Sequence, residues 1–202
     1  MVDKADLRRY CDCLTEVRNR IDVATRIIDG ALINVDDDII AELLCVQLRK
    51  SLELVALAAL SANRAYYEKA YIGIANVWNA KDILKEIGAL HPHFYPTPIK
   101  FGGLDPEGRK RFDPLTSGFM TKEQFVSIYD KLGGALHAWN PHRREPRRVG
   151  AGLNFRKWFE HLETLLALHY FHLPDDDSIY VCELRGQGGK VHVHTGSPVQ
   201  AN

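Results

Sequence analysis

Residues 129–148 read YDKLGGALHAWNPHRREPRR and gather groups able to handle a phosphodiester. His137 stands near a predicted helix end, Asn140-Pro141 stops the chain direction, and Arg143, Arg144, Arg147 and Arg148 follow within six residues. A histidine can move a proton as general base or acid near neutral pH. Arginines hold phosphate through a planar fork, and an amide such as Asn140 can orient the histidine or a base. Lys131 precedes His137 by six positions, with Gly133-Gly134 between them as an expected point of helix distortion. Lysine there offers a point charge rather than a fork. A second basic pair, Arg156 and His161, is separated by four residues. Five steps along a regular helix turn these two side chains about 140° apart, so one protomer aims both at one phosphate only if the helix breaks or a second chain contributes. The plainer reading makes His137 a helix C-terminal cation and the arginine stretch a solvated loop.

Other polar groups carry weaker signals. The chain has nine histidines. His192 and His194 point the same way on a predicted strand, and His169 and His172 share a face of a predicted helix. Neither pair is joined by an HExxH, a Glu-x-x-His or a cysteine cluster, so no metal and no other cofactor is expected. His169 falls in an apolar stripe, where a hydrogen-bonded core histidine is the usual occupant. His91 and His93 flank Pro92 at a turn. Cys11, Cys13, Cys45 and Cys182 lack CxxC spacing and read as reduced structural thiols. Gly186-Gln187-Gly188-Gly189 reads as a hairpin turn rather than a phosphate cradle.

A chain of 202 residues suits one domain or a domain with an appendage. Its formal net charge is zero, so no global field recruits nucleic acid, and any such contact is local. The N-terminal MVDKADLRRY lacks the apolar segment of a signal peptide, and Arg49, Lys50 and Glu53 interrupt the longest apolar run. A cytoplasmic protein without a membrane span is the expectation.

The elements that must position these groups follow from periodicity. Residues 36–72 open on three aspartates and run without Gly or Pro, with Ala41, Leu44, Leu48, Ser51, Val55, Ala58 and Ala62 on one face. This stretch predicts a long central helix. Residues 5–29 carry an a/d seam at Leu7, Tyr10, Leu14, Val17, Ile21, Ala24 and Ile28, ended by Gly30. The two form an antiparallel helical hairpin. Asn79 caps a helix to about Leu90, and Thr121 with Gln124 makes a capping box for another. Asn154 caps a last long helix that runs past His169 to Leu173-Pro174. Residues 91–120, with five prolines and four glycines, read as a long loop. Residues SIYVCEL and VHVHTG alternate around a Gly-rich turn as a β-hairpin. The expected fold is mainly α: an up-and-down bundle of about five helices over 1–174, with a small C-terminal β-hairpin appendage over 175–202.

The helical hairpin, the Val46-Gln47-Leu48-Arg49-Lys50 face of the central stretch and the LHAWNP ending together resemble the HEPN superfamily. Its members are helical bundles, many of them metal-independent endoribonucleases whose motif is an arginine, four to six residues, then a histidine. The likeness covers roughly residues 5–172. It implies RNA binding or cleavage through the 2′-hydroxyl, in a homodimer, in a toxin or defence setting. His137, Asn140 and Lys131 would then be catalytic, and Arg143, Arg144, Arg147, Arg148, Arg156 and His161 would bind the RNA. A non-catalytic helical interaction module that uses its helical hairpin as a homodimer seam, with a protein partner possible, is the alternative.

Overall fold

Helix-capping chemistry sets where the helical elements begin. In the computed structural model, residues 3–70, 79–137, 142, 149–150, 152–174 and 176–197 are described. Helix α1 spans Lys4–Ile28, with Asp3 accepting the Ala5 N–H, and α2 spans Asp37–Ala62, with Asp36 accepting that of Asp38. The turn between them uses the positive φ of Gly30 (89°) and Asn34 (59°). The two helices run antiparallel, since Asp6 meets Arg64 just past one end of α2 and Arg20 meets Gln47 near its middle. The a/d seam is buried inside the chain: Tyr10, Leu14, Val17, Ile21 and Ala24 face the core they share with Leu44, Leu48, Leu52 and Val55 of α2. A seam already filled by the chain's own α2 is not free to pair with a second copy.

The expected helix over 36–72 is interrupted. Asn63 is buried, and both its backbone N–H and its side-chain amide donate to the Ala59 carbonyl, closing α2 before α3, Arg64–Ala70, begins. Helix α4, Ala80–Leu90, is capped by Asn79, and α5, Lys122–Ala135, carries the Thr121–Gln124 capping box in full. Helix α6, Phe155–Ala167, begins at Asn154, whose side chain accepts the Lys157 N–H.

The fold is not a helical bundle with only a small C-terminal hairpin. Among the described residues, six α-helices are joined by a five-stranded antiparallel sheet of β1 (Thr97–Leu104), β2 (Lys110–Pro114), β3 (Leu168–Leu173), β4 (Asp176–Glu183) and β5 (His192–Gly196), ordered β2-β1-β3-β4-β5. Two misread stretches account for the difference. Prolines and glycines in 91–120 suggested a loop, but Pro114 ends the edge strand β2, where it disturbs no inner ladder. Gly103, at φ 102°, sits where the register slips by one residue beside Phe101. Second, LHYFHL fits either a helical or an alternating period. Leu168 turns to extended geometry (φ −144°, ψ 116°), and His169, Phe171 and Leu173 then point inward while Leu168, Tyr170 and His172 are half-buried. His169 and His172 therefore lie on opposite faces of a strand rather than one face of a helix.

The helices cover one side of the sheet. Tyr10 of α1 packs on Phe171 with ring centroids 4.7 Å apart, and Leu162, Leu165 and Leu166 of α6 complete that core. No helix among the described residues is long and apolar enough to cross a membrane.

Candidate functional site

Helix α5 lies against α2 through a small polar cluster. The Arg49 guanidinium stacks 4.1 Å over the Tyr129 ring and donates to the Tyr129 hydroxyl at 2.8 Å. Tyr129 in turn donates to Glu53 at 3.1 Å, and Arg49 Nε stands 3.2 Å from the same carboxylate. Partial burial, with Glu53 beside it, raises the Tyr129 pKa, so the phenol stays protonated and acts as a donor. Gly133 is where it is because a Cβ there would meet Arg49 Nη1 at 3.0 Å. Advancing from Tyr129 to Gly133 moves back along α2 from Glu53 toward Arg49. Helix α5 therefore runs antiparallel to α2, and its C-terminal end heads for the start of α2.

His137 is exposed one turn beyond Gly133, just after the helix end at Leu136, and Lys131 is exposed on α5. Asn140, Arg143, Arg144, Arg147 and Arg148 lie outside the described residues. The chain is placed again at Val149, whose N–H donates to Asp38 at 2.9 Å in the first turn of α2, and at Gly150, whose Cα packs near Ala41. The described residues on either side of the basic sequence are thus His137, just past the end of α5, and Val149, bonded to Asp38 at the start of α2.

The second basic pair sits elsewhere. Arg156, in the first turn of α6, holds Asp29 beyond the end of α1 at 2.8 Å. His161 is half-buried in mid-α6, and its backbone carbonyl accepts the Met120 N–H at 2.9 Å. Among the described residues no hydrogen bond or ion pair joins His137 to Lys131, Arg156 or His161. No group of three or more His, Cys, Asp or Glu side chains among them is arranged to hold a metal ion.

Two buried histidines have structural partners that spacing alone did not name. His169 is fully buried; its Nδ1 stands 3.0 Å from the Leu166 carbonyl and its Nε2 stands 2.6 Å from the Tyr10 hydroxyl. A carbonyl only accepts, so Nδ1 carries the proton and Nε2 accepts from Tyr10. Burial lowers the His169 pKa to about 4 and pushes that of Tyr10 up, so both stay neutral. His91 ends α4 and meets the Asn63 side chain at 3.2 Å, and burial lowers its pKa too. Asp6, buried in the first turn of α1, is held by Arg64 at 2.9 Å and Arg9 at 2.6 Å. The a/d spacing marked Tyr10 as core, but its partner lies 159 residues away.

Compared with models of known families, with curated proteins and with solved structures, the chain matches none.

Proposed function

We propose that the protein is a cytoplasmic RNA-binding protein that holds the phosphate backbone through the four arginines between the end of α5 and Val149. The observation that supports this best is the bracketing of the four-arginine sequence. His137 ends a helix directed at the start of α2, and Val149 is fastened there to Asp38. A net-neutral chain has no background attraction for a polyanion, so local arginines must supply it. The resemblance to HEPN domains adds the expectation of RNA and is the sole support for a toxin or defence setting. If the bound RNA is also cut, His137 would move the proton, as in a metal-independent endoribonuclease.

A non-catalytic interaction module is the second reading. Ile33, Ile39 and Leu43 are 80%, 49% and 37% exposed around the start of α2, an apolar surface that a protein partner could cover. A salt series separates the two. Each arginine that neutralises a single-strand phosphate adds about −0.7 to the slope of log affinity against log salt. Replacing Arg147 and Arg148 by Ala should flatten that slope by up to about 1.4. Equal slopes in wild type and variant would remove the arginines from the contact and leave the interaction module standing.

A further inference from the structure

Helix α2 keeps one band of its surface outside the core. Leu44, Leu48, Leu52 and Val55 are buried on its inner face. Arg20 of α1 reaches Gln47 on one flank, and Tyr129 of α5 holds Arg49 and Glu53 on the other. Between those flanks Asp36, Leu43 and Lys50 are exposed at steps of seven residues, with exposed Ile39 and half-buried Val46 between them. Seven residues are nearly two helical turns, so all of these side chains lie in one band about 80° wide. The band is symmetrical about Leu43. Asp36 stands seven residues before it and Lys50 seven after, while Ile39 stands four before and Val46 three after. Asp36 caps the helix by accepting the Asp38 N–H, and neither Asp36 nor Lys50 makes an ion pair among the described residues.

We propose that this band is a homodimer seam, in which α2 helices of two copies pack antiparallel about a two-fold axis at Leu43. The rotation sets Leu43 against its own copy, Ile39 beside the partner's Val46, and Asp36 opposite the partner's Lys50. The charges name the occupant. Turned end for end, the band offers acid to base at both ends, so its complement is itself. A parallel pairing would instead set Asp36 on Asp36 and Lys50 on Lys50. Antiparallel axes also oppose the two helix dipoles. The chain's formal charge is zero, so no net repulsion keeps two copies apart. This seam is distinct from the a/d seam of α1, which is filled within the chain. It deepens the interaction-module reading by naming the partner for its apolar surface, and it does not depend on RNA binding.

Sedimentation of the intact chain over a range of concentrations, in reducing buffer, tests the seam. Wild type should pass from monomer to dimer as concentration rises. Leu43→Glu sets two carboxylates face to face and should raise the dissociation constant by about 30-fold or more. Leu43 is already exposed, so the fold should tolerate the change, as unchanged circular dichroism would show. Lys50→Glu opposes Asp36 and should weaken the dimer by about 3- to 30-fold. Adding Asp36→Asn, which keeps the helix cap and removes the opposing charge, should recover part of that loss. Orientation is read by cross-linking with diamide, against wild type as background. Leu43→Cys should give a covalent dimer and Lys50→Cys should not, because about 21 Å separates the two copies of Lys50. A wild type that stays monomeric at every concentration overturns the dimer and leaves the surface to a different protein. A dimer that survives both Leu43→Glu and Lys50→Glu places the seam elsewhere and also overturns it, as does equal cross-linking at the two cysteines.

Discussion

Burial lowers the His169 pKa by more than its bond to the Leu166 carbonyl raises it, and this dictates a response to acid. Its folded-state pKa of about 4 lies below the ordinary 6.5, so between those values the unfolded chain binds a proton that the native chain does not. The stabilising difference is present above pH 6.5 and is lost as pH falls toward 4, on the order of 2 to 3 kcal/mol by pH 4.5. Chemical denaturation of wild type and His169→Gln at pH 7 and 4.5 checks this. The variant should lose about 2 kcal/mol less over that interval, and identical pH dependences would show that His169 is protonated in the fold. Its role as a hydrogen-bonded core histidine was legible from the apolar stripe around it. Tyr10 as its partner was not, because periodicity says which face is buried and nothing about what faces it from a strand far along the chain.

Helices were legible where a polar cap precedes an apolar period. Asn79, Thr121 with Gln124, and Asn154 each cap the helix expected of them. The strands of 97–114 were not legible, because a protruding hairpin needs turn and bulge glycines and tolerates edge prolines, the same composition as a loop. The glycine pair of α5 shows how packing modifies propensity. A Cβ at Gly134 meets nothing within 4 Å, so Gly134→Ala should stabilise the protein by about 0.5–1 kcal/mol. Gly133→Ala should forfeit most of that gain, since the methyl must displace Arg49 from Tyr129. Thermal melts of the two single variants check the contrast, and equal shifts would mean that Arg49 moves at no cost. The α1 seam gives a stronger test. Val17 is 0% exposed, so Val17→Asp places a carboxylate among Leu48-type neighbours and should cost about 3 kcal/mol or more. A variant that melts with wild type would contradict the intramolecular hairpin.

At the scale of the whole molecule, a helical layer built on α1 and α2 packs against one side of a five-stranded antiparallel sheet. Fold class was only half legible: the helical hairpin was plain in the sequence, while the sheet arises from strands far apart in it, β1 pairing with β3 across some seventy residues. Of the residues singled out for the candidate site, His137 and Lys131 are exposed on and just past α5, while Asn140 and the four arginines lie outside the described residues. The proposed function is the binding of single-stranded RNA. The most direct measurement is an anisotropy titration of end-labelled single-stranded RNA with the intact chain, at low salt and with chelator present, the RNA length then read on a denaturing gel. The account predicts saturable binding. No binding at low salt would contradict it outright, and shortened RNA with wild type but not with His137→Ala would show that the protein also cuts what it binds.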